Sequence, residues 1–132
     1  MKYIYTATFE EKNGKVYARV PDLKGCVTTG GNLEDAIRQI TDAASGWLVT
    51  AEDEGLDIPS ATPQYELSHK SAVTYSLIYI DTITYRAQTD THAVRKNVSL
   101  PAWMASLADK RGINCSQVLQ EGLNERFRRA SL

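Results

Sequence analysis

At 132 residues the chain can form one ordinary domain, or a domain of about 90 residues plus a small module that must share its core with a partner. The net charge of −1 hides a split near residue 92: residues 1–92 carry 8 Lys or Arg against 13 Asp or Glu, a balance of −5, and residues 93–132 carry 7 against 3, a balance of +4. No apolar run nears the roughly 18 residues of a membrane span and no charged leader precedes an apolar stretch, so a cytoplasmic protein with no membrane association is expected.

In chain order, Met1–Phe9 alternates, with Tyr3, Tyr5, Ala7 and Phe9 on one face and Ile4, Thr6 and Thr8 on the other. This is strand periodicity. Asn13-Gly14 is a type I′ hairpin signal, and Val16, Ala18 and Val20 alternate beyond it, so a second strand should fold back on the first. Pro21-Asp22-Leu23-Lys24-Gly25 interrupts the pattern, Cys26–Thr29 suits a short third strand, and Gly30-Gly31 ends it.

The period then changes. Asn32 is placed to cap a helix, with Asp35 three residues on in the position of a capping-box acid. Leu33, Ile37, Ile40, Ala44, Trp47, Leu48 and Ala51 follow at spacings of three or four and give one apolar face. Gly46 inside this helix implies close packing against the sheet, and Gly55 closes the helix. After a loop through Pro59 and Pro63, Val73–Thr84 is β-branched and aromatic and suits a fourth strand. The expected class is α+β, β-β-β-α-β, a sheet with one long helix on one face.

These residues resemble the HicB antitoxin family. The match lies in the strand pair, in Val20-Pro21-Asp22-Leu23-Lys24-Gly25-Cys26, in Gly31-Asn32-Leu33-Glu34-Asp35-Ala36 opening the helix, and in Glu54-Gly55-Leu56-Asp57-Ile58-Pro59. The resemblance implies a partial RNase H-like fold over residues 1–84, whose work is to bind a HicA-like toxin, a small basic mRNA interferase. An RNase H-like sheet can also carry metal-binding carboxylates, which must converge on a divalent cation. Glu10 and Glu11 sit beside a turn, and Asp22 and Asp81 fall at strand ends, so no converging set is evident. Cys26 and Cys115 stand alone, and His69 and His92 lack ligand spacing. No catalytic residue, metal or cofactor is expected, and the protein is not expected to be an enzyme.

Residues 85–92 are polar and are expected to be a linker. Residues 93–132 then present a strand, Val94-Arg95-Lys96-Asn97-Val98-Ser99-Leu100-Pro101, followed by two short helical patterns. That order suggests a ribbon-helix-helix (β-α-α) module, in which two chains pair their strands into a ribbon that enters the DNA major groove. Val94, Val98 and Leu100 would face inward, and Arg95, Asn97 and Ser99 would read bases, Arg and Asn having bidentate geometry for guanine and adenine edges. Pro101 suits a first helical turn, with Trp103, Met104, Leu107 and Ala108 apolar before Gly112. Asn114 can cap the second helix, and the amides of Asn114, Cys115 and Ser116 would hold a DNA phosphate. Leu119, Gly122 and Leu123, with Val118 and Phe127, continue a core stripe that two chains must share, because one strand and two helices bury too little alone. Arg126, Arg128 and Arg129 are expected to form a solvated, dipole-complementing helix end.

The tail resembles known ribbon-helix-helix repressors, and HicB proteins often carry such a tail. The combined expectation is an antitoxin that covers the active site of a HicA-like toxin and represses its own operon by binding operator double-stranded DNA. The chain should be a homodimer through residues 93–132; a tetramer through residues 1–92 stays open. The alternative is a ribbon-helix-helix repressor whose first domain senses a ligand or only mediates oligomerisation.

Overall fold

The computed structural model describes residues 1–130, so the last two residues of the expected 93–132 module lie outside the described residues. Strands β1 (Lys2–Lys12), β2 (Lys15–Arg19) and β3 (Val27–Gly30) precede helix α1 (Leu33–Glu54), and β4 (Val73–Asp81) follows it. The sheet is antiparallel with order β3-β2-β1-β4. Asn13 and Gly14 both take positive φ, 53° and 76°, as a type I′ turn demands, and Lys12 pairs with Lys15 across it.

Alternation divides the sheet into two faces. Tyr5, Ala7 and Phe9 of β1, Val16 and Ala18 of β2, and Ile78 and Ile80 of β4 form the core with Val20, Leu23 and Cys26 and with Ala36, Ile40, Ala44 and Leu48 of α1. The core face of α1 differs from the expected stripe. Leu33 and Ile37 are exposed, whereas Ala36 and Ser45 are buried beside Ile40, Ala44 and Leu48, so the buried face is turned from the expected stripe and small side chains alternate with large ones along it. Gly30 marks the tightest approach: a Cβ there would stand 2.4 Å from the Ala36 nitrogen. Burial pushes the Cys26 thiol up, which suits an inert packing residue.

Both ends of α1 are capped. The Asn32 carboxamide accepts from the Asp35 amide at 2.8 Å, and Asp35 accepts from the Gly31 amide at 2.9 Å, so the reciprocal bond reaches one residue further back than in a standard capping box. Gly55 closes the helix in the left-handed conformation with φ 67°. The Pro21–Gly25 turn is tied to α1 by the Trp47 indole, which donates to the Lys24 carbonyl at 3.1 Å. Asp22 accepts from the Thr62 amide and hydroxyl at 2.8 and 2.6 Å, clamping the loop that follows α1.

The structure departs from the sequence expectations after β4. That strand stops at Asp81 rather than at Thr84, and Thr82–Thr89 forms helix α2, so most of the segment expected as linker is helical. Asp81 starts α2 by accepting from the amides of Ile83 and Thr84 at 3.0 and 3.3 Å. Arg86 of α2 then reaches Asp53 at 2.7 Å and Glu52 at 3.1 Å on α1. Gly46 is accordingly a contact with α2 and not with the sheet, since a Cβ there would meet the Tyr85 hydroxyl at 3.3 Å. Helices α3 (Ala102–Lys110) and α4 (Cys115–Ala130) follow, separated by a turn at Gly112 with φ 62°.

Candidate functional site

The tail is the first candidate. Residues 90–101 have no regular structure in the single chain, and the strand expected over 94–101 is not formed, for it has no neighbour to supply ladder hydrogen bonds. Arg95, Asn97 and Ser99 are exposed along this segment. Val94, Val98 and Leu100 are exposed with them, as are Trp103, Met104, Leu107, Val118, Leu119 and Leu123 on the two helices. A Cβ at Gly122 would meet nothing within 4 Å. One copy of the chain therefore buries none of the six residues expected to form a dimer core completely, and it leaves an apolar stripe exposed.

At the start of α4, Asn114 caps the helix as expected, its carboxamide accepting from the Gln117 amide at 3.1 Å. The amides of Cys115 and Ser116 lie in the first turn, where no intrahelical carbonyl is available to them, and Cys115 is an exposed free thiol. At its other end α4 touches the sheet domain. Arg128 donates to Asp81 at 3.2 Å and to Asn124 at 3.1 Å, so this arginine does more than complement the helix dipole. Sequence reasoning missed the pair because nothing local links positions 47 residues apart.

The open face of the sheet is the second candidate. The register lines up Tyr75, Thr8, Arg19 and Val27 in one cross-strand row and Val73, Glu10, Tyr17 and Thr29 in the next. Leu67, Ser68 and Lys70 rise beside these rows and enclose a cleft of about 770 Å³. The Tyr75 hydroxyl holds this wall by donating to the Ser68 carbonyl and accepting from the Lys70 amide. Further along, Ile4, Leu77 and Tyr79 lie exposed on the same face. Under them Thr6 is buried, and its hydroxyl has no hydrogen-bond partner.

A third cluster joins the end of α1 to α2. Glu52 accepts from the hydroxyls of Tyr3 at 2.7 Å and Thr82 at 3.1 Å and from Arg86. Burial together with the Glu52 hydrogen bond holds the Tyr3 phenol far above its ordinary range, and the Asp53 bond raises Arg86. These groups satisfy one another and form a structural clasp. Among the described residues no group of three or more His, Cys, Asp or Glu side chains is arranged to hold a metal ion, and no helix is long and apolar enough to cross a membrane.

An antiparallel sheet with one covered face, joined to a helical tail, gives this chain a fold similar to those of solved antitoxins. The chain is similar to a chain of a toxin-antitoxin complex from Streptococcus pneumoniae, with a TM-score of 0.61 and 16% identity over 96% of this chain and 99% of that one. It is also similar to the Burkholderia pseudomallei antitoxin HicB, with a TM-score of 0.55 and 22% identity over 94% and 98% of the two chains. A HicA3 and HicB3 toxin-antitoxin complex matches over 60% of this chain and 99% of its own, with a TM-score of 0.50 and 18% identity. At these identities the likeness is one of fold: a mixed α+β antitoxin class with an antiparallel sheet and four helices. The family model of the HicB-like antitoxins of bacterial toxin-antitoxin systems matches residues 5–119, and the chain belongs to that family. No curated protein sequence matches it.

Proposed function

We propose that this antitoxin neutralises a HicA-like mRNA interferase by covering its active site with the first domain, a partial RNase H-like unit, and represses its own operon through residues 93–132. The observation that carries the second half is the apolar stripe of the tail. Val98, Leu100, Leu119 and Leu123 stand open in one chain, and at about 25 cal/mol per Å² of buried apolar surface the pairing of two tails supplies the missing core. Pairing residues 94–100 of two copies makes a ribbon-helix-helix dimer with Arg95, Asn97 and Ser99 toward base edges. The amides of residues 114–116 then hold a phosphate, and the two-fold dimer reads a two-fold operator. The −5 balance of residues 1–92 suits a basic toxin, and the +4 balance of the tail suits DNA.

Co-expression with the adjacent small open reading frame tests the first half: its product should be toxic alone and co-purify with this chain, and a product that does neither ends the reading. A gel shift with the upstream promoter tests the second half, and failure of the dimer to retard that fragment at low salt ends it. The cleft of about 770 Å³ on the open sheet face favours one rival, a repressor whose first domain senses a small ligand. That rival requires operator affinity to change with a metabolite and not with a protein partner.

A further inference from the structure

On the open sheet face Arg19 and Lys70 stand without counter-ions among the described residues. The other arginines of residues 1–92 are held by acids, Arg38 by Asp35 at 3.7 Å and Arg86 by Asp53 at 2.7 Å. Arg19 lacks such a partner although the domain around it carries a balance of −5. Both unpaired cations line the cleft of about 770 Å³. Arg19 belongs to the floor, on β2, two strands or about 10 Å from Tyr75. Lys70 belongs to the wall, and Tyr75 fixes that wall: its hydroxyl accepts from the Lys70 amide at 3.1 Å, and the His69 ring lies against its ring with 4.4 Å between centroids. A wall set in advance lowers the ordering cost of holding a ligand.

The rest of the lining narrows the ligand. Thr8, Thr29 and Ser68 bring hydroxyl donors, which suit phosphate oxygens beside a guanidinium and an ammonium. Tyr17 is 43% exposed on the floor and offers a ring against which a flat base can stack. Glu10 is paired with Tyr17 across the strands, and Lys12 meets its carboxylate at 3.6 Å. A carboxylate only accepts hydrogen bonds, so Glu10 requires N–H or O–H donors on the ligand. Plain phosphate or a small carboxylic acid would use the cations, leave Tyr17 bare and face repulsion from Glu10. A molecule with an anionic end, a planar ring and ring N–H donors uses all of them. We propose that this cleft is a nucleotide site, with Arg19 and Lys70 on the phosphate, Tyr17 against the base and Glu10 accepting from the base N–H groups. Guanine matches best, because its adjacent N–H donors can engage both carboxylate oxygens. The cleft falls in the range of roughly 300–1,000 Å³ of small-molecule sites. The site goes beyond the antitoxin reading and needs neither toxin nor operator.

Isothermal titration of the full chain with guanosine monophosphate tests this, with guanosine, inorganic phosphate and a short single-stranded RNA titrated alongside. The wild type should bind the monophosphate at one site per chain, about tenfold or more tightly than guanosine or phosphate alone. Arg19→Gln and Lys70→Gln should each weaken it about tenfold while keeping the circular dichroism of the wild type. Lys70 lies outside the sheet, so its variant serves if Arg19→Gln does not fold. Glu10→Gln should weaken the monophosphate and not inorganic phosphate, which separates contact with the base from contact with the anion. No saturable heat at millimolar monophosphate overturns the site, and so does binding that Arg19→Gln and Lys70→Gln leave unchanged. RNA bound more tightly than the monophosphate, with the same loss in both variants, also overturns it and assigns the face to RNA.

Discussion

Arg128, near the end of the last helix, donates to Asp81 at 3.2 Å, and Asp81 is the residue that turns the last strand into α2. One carboxylate thus caps a helix and anchors the tail to the sheet domain. Burial works against the Asp81 charge, but the amides of Thr84 and Ile83 and the Arg128 guanidinium outweigh it and hold the carboxyl below its ordinary value of 3.8. A folded pKa below the unfolded one stabilises the fold at neutral pH, and the contribution is lost as the pH falls through the folded value. Asp81→Asn keeps a capping side chain but loses the charge. It should cost about 1 kcal/mol at pH 7 in urea unfolding, and the gap from wild type should narrow as the pH falls below 3.8. A gap that keeps its size as the pH is lowered from 7 through the acid range would show that charge is not the cause.

The Thr6 hydroxyl is buried without a partner, an arrangement that costs the fold the desolvation of a polar group. Thr6→Val keeps the β-branched shape on a central strand and removes that group, so the variant should gain about 1 kcal/mol. A loss in the midpoint of denaturant unfolding would mean that the hydroxyl is bonded in solution.

At Gly30 the backbone of α1 occupies the space of a side chain. Backbone cannot move aside as a flexible side chain can, so Gly30→Ala should destabilise the domain by about 3 kcal/mol. Gly31→Ala, where a Cβ meets nothing within 4 Å, should cost under about 1 kcal/mol and serves as the control. Equal melting temperatures for the two variants would refute the close approach.

The proposed base readers lead to a measurement on DNA. Arg95→Ala and Asn97→Ala should each weaken operator binding by about 1 to 3 kcal/mol while leaving the dimer mass intact. Affinity should fall steeply between about 50 and 200 mM salt for wild type and both variants, because phosphate contacts remain. An unchanged affinity for the double variant removes these residues from base recognition.

The first sheet was readable from the chain because its signals are local. Asn13-Gly14 sets its own turn, Asn32 and Gly55 bound α1, and β1 and β2 alternate as half-buried strands do. Helix α2 was not readable in the same way. Thr82-Ile83-Thr84 is β-branched and continues the strand pattern; what makes it helical is the Asp81 cap and the contacts of Tyr85 and Arg86 with α1, which are tertiary. The two tail helices were legible from Pro101, Gly112 and Asn114. The strand expected over 94–101 is a pattern in the sequence only, and in the single chain it has no neighbour to supply ladder hydrogen bonds.

Asp90–Pro101, the twelve residues between α2 and α3, can span at most about 40 Å as an extended leash. If residues 94–100 enter a ribbon, only Asp90–Ala93 stay free, a reach of about 13 Å. Forming the proposed ribbon would then shorten the tether threefold and draw both sheet domains close to the ends of the ribbon. In this way the geometry of one half of the molecule limits where the other half can stand.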